Sequence, residues 1–151
     1  MGVAGSHYMK VSADDGTQVA VRKTAIKGVC TRLAYVLEDD YEWEDDQPDV
    51  VRSGIEDGDM LRLVIDFLHD YETNVTSLSR DAREALIAHH YAALSNAEWM
   101  QKYCVHTRAD GAMDMDKTNN MIGVAKHMGI APLLMCCCFK AADALREQRS
   151  R

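Results

Sequence analysis

The stretch between positions 115 and 123 is the part of this sequence best suited to chemistry. It supplies a carboxylate, two adjacent amides and a glycine, namely Asp116, Asn119, Asn120 and Gly123. Because each helical residue advances about 100° around the axis, these groups and His127 fall on or beside one polar stripe. Glycine inside a helix costs about 1 kcal/mol relative to alanine, so its use here indicates close approach of a ligand or a backbone.

Histidines elsewhere in the chain are the candidates for a general base that pairs with Asp116. Arg83 and His90 lie within about 20° of each other on a predicted helix, in its apolar stripe, whereas His89 points outside it. A histidine paired with Asp116 would act as a general base, and the asparagine amides would stabilise developing charge. We expect catalytic roles for His89, His90, Asp116, Asn119 and Asn120, and binding roles for His106, Gly123, His127 and Arg83.

A structural interpretation of the same residues stays open. Asp116 would cap its helix, Asn120 would bond to a neighbouring loop, and Gly123 would only relieve helix packing.

Metal sites are not indicated. Adjacent His89 and His90 diverge by about 100° on a helix and would rarely share one ion. An EF-hand loop counted from Asp114 needs glycine at its sixth position and glutamate at its twelfth, but Asn119 and Ala125 stand there. The five cysteines are odd in number and three of them are adjacent, which predicts reduced thiols. We expect no metal, and the sequence identifies no cofactor.

The net charge of −7 is concentrated in one segment. Residues 38–49 contain eight acids and no base, and the rest of the chain is close to neutral. Such a field repels a nucleic-acid backbone and attracts a basic protein. Aromatic residues inside it, Tyr41 and Trp43, are suited to a contact surface. The alternative function is therefore a non-catalytic interaction module that uses this segment, and a solvated loop is the plainer interpretation.

Apolar residues recur at helical spacing in several stretches. The predicted helices cover, approximately, residues 26–37, 59–71, 79–94, 96–104, 116–128 and 132–145. Their predicted end signals are Ser77 or Ser79, Asn96, Gly129 and Pro132. The buried stripe of the last helix is expected to contain Leu134, Cys137, Cys138, Ala141 and Leu145.

These patterns predict an all-α fold, a compact single-domain bundle of five or six helices. Asp15-Gly16 is a hairpin turn signal, so a short N-terminal β-hairpin is left open. Residues 1–16 are expected to be a flexible arm or a partial tag, and 17–148 a single helical domain with an acidic loop at 38–49. Oligomeric state does not follow from the sequence.

The sequence contains no uninterrupted apolar run near the roughly 18 residues of a membrane span. It also has no basic segment followed by an apolar one at its start. We therefore expect a cytoplasmic protein that does not contact a membrane, with secretion by a signal-independent route left open.

One group of residues resembles a bacterial domain family of unknown function that occurs in secreted or toxin-like multidomain proteins. The residues are Asp81-Ala82, His89 or His90, His106, and the Met-Asp-x-x-Asn-Asn-x-x-Gly pattern at 115–123. The resemblance covers about residues 80–128 and implies a helical domain with a shared His/Asp/Asn cluster. This chain departs from the family where no arginine directly precedes a histidine, and where Thr107 replaces a glutamate. The leading expectation is an effector- or toxin-like domain that hydrolyses or binds a small substrate.

A second group resembles the short motif of small helical ribonucleases of the HEPN type, in which a histidine follows an arginine after four to six residues. Six residues separate Arg83 from His90 and five separate it from His89, and Tyr91 occupies a position where such proteins often carry an aromatic residue. Because an acidic chain is a poor RNA binder, this function ranks third.

Overall fold

The structure is a computed structural model and describes residues 7–38, 50–87 and 91–149. A β-hairpin begins the described chain. Strands β1 (Tyr8–Ser12) and β2 (Gln18–Arg22) pair antiparallel, with Tyr8 opposite Arg22 and Ser12 opposite Gln18. Gly16 in the turn has a φ of 93°, a left-handed conformation that glycine adopts without strain. The hairpin that the Asp15-Gly16 signal left open is therefore present.

A third strand makes the all-α prediction wrong. Strand β3 (Val50–Arg52) lies parallel to β1 and gives a three-stranded sheet in the order β2-β1-β3. Met9, Val11 and Val21 are buried beneath the sheet, whereas Lys10 on the opposite face is exposed. The described chain is mostly helical with this small mixed sheet. Three residues are too short for a period of two to be recognised in a sequence, which is why β3 was missed.

Three helices accompany the sheet: α1 (Lys23–Ile26), α2 (Thr31–Glu38) and α3 (Gly58–Tyr71). Where one helix was predicted from residue 26, the structure has the two short helices α1 and α2. Gly28 between them has a φ of 74°, which breaks the helical path. Helix α3 matches its prediction, and Asp57 caps it by accepting the Asp59 N–H at 2.9 Å. Its buried face carries Leu61, Val64, Ile65, Phe67 and Leu68. A π-helical turn, Glu72–Thr76, follows α3.

The remaining described helices lie C-terminal to this turn. They are α4 (Arg80–Ile87), α5 (Ala92–Ser95), α6 (Gln101–Cys104), α7 (Met115–Met128) and α8 (Ala131–Arg149), with a 3₁₀ turn at Glu98–Met100. Ser79 caps α4 by accepting the Ala82 N–H at 3.2 Å, as predicted. Asn96 does not cap the start of a helix as predicted but ends α5, and its side-chain oxygen accepts a bond from Lys140 at 2.6 Å.

Helices α7 and α8 pack against each other across a glycine joint. Gly129 has a φ of 69° and ends α7, and Pro132 lies in the first turn of α8, both as predicted. The predicted stripe of α8 is shifted, because Cys136 and Cys137 are buried whereas Cys138 is exposed. Leu145 is also exposed, and Leu133 takes the buried position near the start of the helix.

The contacts of the chain fall into two compact units, Met1–Thr73 and Asn74–Arg151. The first contains the sheet with α1–α3, and the second contains α4–α8. The single-domain organisation stays a prediction. No helix in the described ranges has the length and apolarity to cross a membrane.

Candidate functional site

Helix α7 carries most of the predicted site, and Asp114 fixes where it starts. The Asp114 side chain accepts the Lys117 N–H at 3.1 Å, and its carbonyl accepts both the N–H and the hydroxyl of Thr118. A carboxylate at this position satisfies an otherwise unpaired donor and complements the helix dipole. The cap is therefore Asp114 rather than Asp116.

The two sides of α7 have opposite environments. Met121, Ala125 and Met128 are fully buried, as the periodicity predicts. The residues predicted for chemistry lie on the exposed side, and we call them the α7 polar face: Asp116, Asn119, Asn120, Gly123 and His127. Burial of the apolar side holds this face in a fixed orientation within the second unit.

Folding leaves several members of the α7 polar face unbonded. Asp116, Asn119 and Asn120 form no hydrogen bond or ion pair with any residue in the described ranges. A Cβ added at Gly123 would meet no heavy atom within 4 Å. Helix packing among the described residues therefore does not account for this glycine.

His106 is buried in the loop that leads into α7. Its Nε2 is 3.0 Å from the Tyr103 carbonyl, and because a carbonyl only accepts, Nε2 must carry the proton. Its own carbonyl accepts the Asp114 N–H at 2.8 Å. Burial lowers the pKa of His106 below 6.5, and Lys117 adds to the effect, against the opposing influence of Tyr103 and Asp114. Through these contacts His106 stabilises the loop at the start of α7. Its binding role stays a prediction.

Of the other predicted site residues, the structure describes Arg83 but not His89 or His90. Arg83 is half-buried on α4, and its guanidinium has no partner among the described residues. His89 and His90 lie outside the described residues, so their approach to Asp116 stays a prediction. The acidic segment also lies outside them, except for Glu38 at the end of α2, and its contact with a basic partner stays a prediction.

The five cysteines are free thiols. Three of them pack in the second unit, where Cys104 donates to the Met100 carbonyl at 3.3 Å and Cys137 to the Tyr103 carbonyl at 3.6 Å. Burial raises the pKa of Cys104 to about 11 and that of Cys136 to about 12. Because the thiolate is the reactive form, these buried thiols are core residues rather than nucleophiles. Within the described ranges, no three His, Cys, Asp or Glu side chains are grouped to hold a metal ion.

A polar cluster in the first unit was missed by the sequence analysis. The Arg22 backbone N–H donates to Nε2 of His69 at 3.0 Å, and the Arg22 Nε is 2.6 Å from Glu72 Oε1. Both charged side chains of this pair are partly buried, with 35% and 19% exposed. The cluster joins the end of β2 to the end of α3. Arg22 is 47 positions from His69 and 50 from Glu72, so no local motif could have revealed the cluster.

The electrostatics of this cluster favour a charged glutamate and a neutral histidine. Burial, followed by the Arg22 charge, lowers the pKa of His69 below 6.5, against the opposing pull of Asp66, Glu72 and Asp70. Burial alone would raise the pKa of Glu72, but hydrogen bonds from Thr24 and Arg22 outweigh it and bring the pKa below 4.5. The arrangement links β2 to the end of α3, and the lone pair of His69 Nε2 accepts the Arg22 N–H.

Comparison of the chain with protein-family models, with curated proteins and with solved structures finds no match in any of the three. Both resemblances, that of residues 80–128 and that of the Arg83 spacing, stay predictions.

Proposed function

We propose that the chain is an effector- or toxin-like domain that binds a small polar ligand through the α7 polar face, with hydrolysis of that ligand as its further activity. The observation that carries the proposal is that Asp116, Asn119 and Asn120, on one helix face, bond to no other residue in the described ranges. A fixed helix with free donors and acceptors is ordered before a ligand arrives, which lowers the entropic cost of binding.

Gly123 is the strongest single support. Its interior position costs α7 about 0.5–1 kcal/mol relative to alanine. Its φ is not in the left-handed range, and a Cβ would point into open space, so the backbone does not require glycine. Close approach of a ligand to the helix backbone is a reason for its presence that folding does not supply.

The neighbouring side chains offer complementary chemistry. Each asparagine amide supplies two donors and one acceptor oxygen, and an ionised aspartate only accepts. Asn120 is one turn from Asp116 in one direction and close to one turn from Gly123 in the other. A ligand with both donor and acceptor groups could therefore bond to the face across the gap at Gly123.

Hydrolysis would need a base beside Asp116, and His127 on the same face is eleven residues, about 16 Å along the helix axis, away from it. His106 is engaged with the Tyr103 carbonyl and buried, and the core cysteines are held as neutral thiols. The catalytic role thus falls on His89 or His90, with Asp116 orienting the imidazole and the amides stabilising developing charge.

The test is an NMR screen of small polar molecules against the isotopically labelled protein. We expect ligands to shift the amide signals of residues 116–127, and Asp116→Ala or Asn120→Ala to remove the shifts. Glu98→Gln is the matched control, because Glu98 is an exposed acid of the same unit without a partner in the described ranges. Ligands that shift only other regions, or variants that bind like the wild type, would show the proposal to be wrong.

Gly123→Ala separates a functional from a structural role. We expect the variant to be more stable than wild type by about 0.5–1 kcal/mol, and to lose affinity for any ligand found. Incubating those ligands with wild type and with a His89→Ala, His90→Ala double variant then measures hydrolysis. Equal product formation by both proteins would remove the histidines from the mechanism.

A further inference from the structure

A polar groove in the first unit is independent of the α7 polar face. It has a volume of about 600 Å³ and is lined by Ser12, Ala13, Asp14, Gly16, Gln18, Val50 and Arg52. Its size lies within the range of roughly 300–1,000 Å³ that small-molecule sites occupy. We propose that this groove binds a short zwitterionic peptide, whose carboxylate meets Arg52 and whose ammonium group meets Asp14.

Strand register brings the polar side chains of the groove together. Ser12 pairs with Gln18 on one side and with Arg52 on the other, so the three residues form one row across the sheet. Side chains opposite one another in neighbouring strands project from the same face. A hydroxyl, an amide and a guanidinium therefore line the same surface.

The turn at one end of this row is held in place by hydrogen bonds to the segment before α3. The Asp14 N–H donates to the Ile55 carbonyl at 2.8 Å, and the Gly58 N–H donates to Asp15 Oδ2 at 2.7 Å. Asp15 also accepts the Thr17 N–H at 2.9 Å. These bonds occupy Asp15 and fix the backbone of Asp14, but they leave the Asp14 carboxylate unused.

Two opposite charges thus line one groove without pairing. Arg52 and Asp14 form no salt bridge with each other or with any other described residue, and Gln18 has no side-chain hydrogen bond there either. A ligand that carries only an anion would use Arg52 and meet repulsion from Asp14. A zwitterion satisfies both groups, and charge-assisted hydrogen bonds to each would fix its direction. Val50 and Ala13 add apolar surface suited to small side chains.

The test uses alanyl-alanine and its three blocked forms, acetylated, amidated and doubly blocked, titrated into the labelled full chain. We expect the free dipeptide to bind with signal changes at residues 12–18 and 50–52, and each block to weaken binding about tenfold, as loss of one charge-assisted bond implies. Arg52→Gln should weaken binding of the acetylated peptide but not that of the amidated one, and Asp14→Asn should do the reverse.

Lys10→Gln is the control, because Lys10 is exposed on the same sheet face, opposite Val50, but does not line the groove. Its affinity for the dipeptide should equal that of wild type, and thermal unfolding checks that all three variants fold. Three results would overturn the proposal: no binding of the dipeptide at about 10 mM, equal binding of the doubly blocked form, or equal effects of Arg52→Gln and Lys10→Gln.

Discussion

Acidification should weaken the first unit through His69. The Arg22 N–H donates to Nε2 of His69 at 3.0 Å, so that nitrogen must be unprotonated. A proton there would place two donors against each other and remove one hydrogen bond, whose net contribution is about 1 kcal/mol. The charges nearest the imidazole are Arg22 on β2, with Asp66, Asp70 and Glu72 on α3 and after it. The pKa of His69 lies below 6.5, so burial and Arg22 outweigh the three acids.

The sign of the effect follows from this direction. Because the folded state holds the His69 proton less tightly than the unfolded chain, the stabilisation from neutral His69 is complete above pH 6.5. It is lost as the pH falls from 6.5 through the lower folded pKa. His69→Phe removes the acceptor at every pH and should reduce the free energy of unfolding by about 1 kcal/mol at neutral pH. The deficit of the variant relative to wild type should shrink in acid.

The assay is urea unfolding of wild type and His69→Phe at pH values of about 7.5 and about 5. His106 also has a lowered pKa and contributes acid sensitivity of its own, but this is common to both proteins and cancels in the difference. His127→Gln serves as the histidine control. A deficit of equal size at both pH values, or an NMR titration placing the His69 pKa at or above 6.5, would refute the reasoning.

Three further predictions concern packing, capping and thiol chemistry. Gly58→Ala should cost about 1–3 kcal/mol in thermal or urea unfolding, because its Cβ would collide with the Thr17 side chain; wild-type stability would contradict that collision. Asp114→Ala should lower the free energy of unfolding by about 1 kcal/mol, and Asp116→Ala should change it by less than about 0.5 kcal/mol; the reverse order would make Asp116 the cap. Under native conditions only Cys138 should react rapidly with a thiol reagent, because the other cysteines are buried, and mass spectrometry of the labelled sites would reveal any second fast thiol.

Some elements were predicted correctly from long apolar periodicity and local end signals. The bounds of α3 and α7, the cap at Ser79 and the glycine joint at Gly129 all depend on residues within a few positions of one another. The hairpin turn at Gly16 has the same local character. Such features are governed by backbone preference and by the spacing of apolar residues, both of which are visible in a single sequence.

Features that depend on distant partners were not predictable. Strand β3 forms because it pairs with β1, and a sequence of three residues is too short to predict that pairing. The cluster of Arg22, His69 and Glu72 requires β2 to end beside α3, which only the tertiary fold determines. Gly28 is the intermediate case, since a glycine in a helical pattern is compatible both with a continuous helix and with the break that it makes here.

The two carboxylates at the start of α7 show why the candidate site needed a structure. A helix cap requires extended backbone at the capping residue, and Asp114, with φ −82° and ψ 95°, has that conformation. In the sequence either aspartate could have taken this role. Because Asp114 takes it, the exposed Asp116 contributes to folding through the helix dipole, at the low end of the usual range, about 0.3 kcal/mol. Asp116, Asn119 and Asn120 are left without a bonding partner among the described residues by the packing of α7, and a sequence alone does not contain that information.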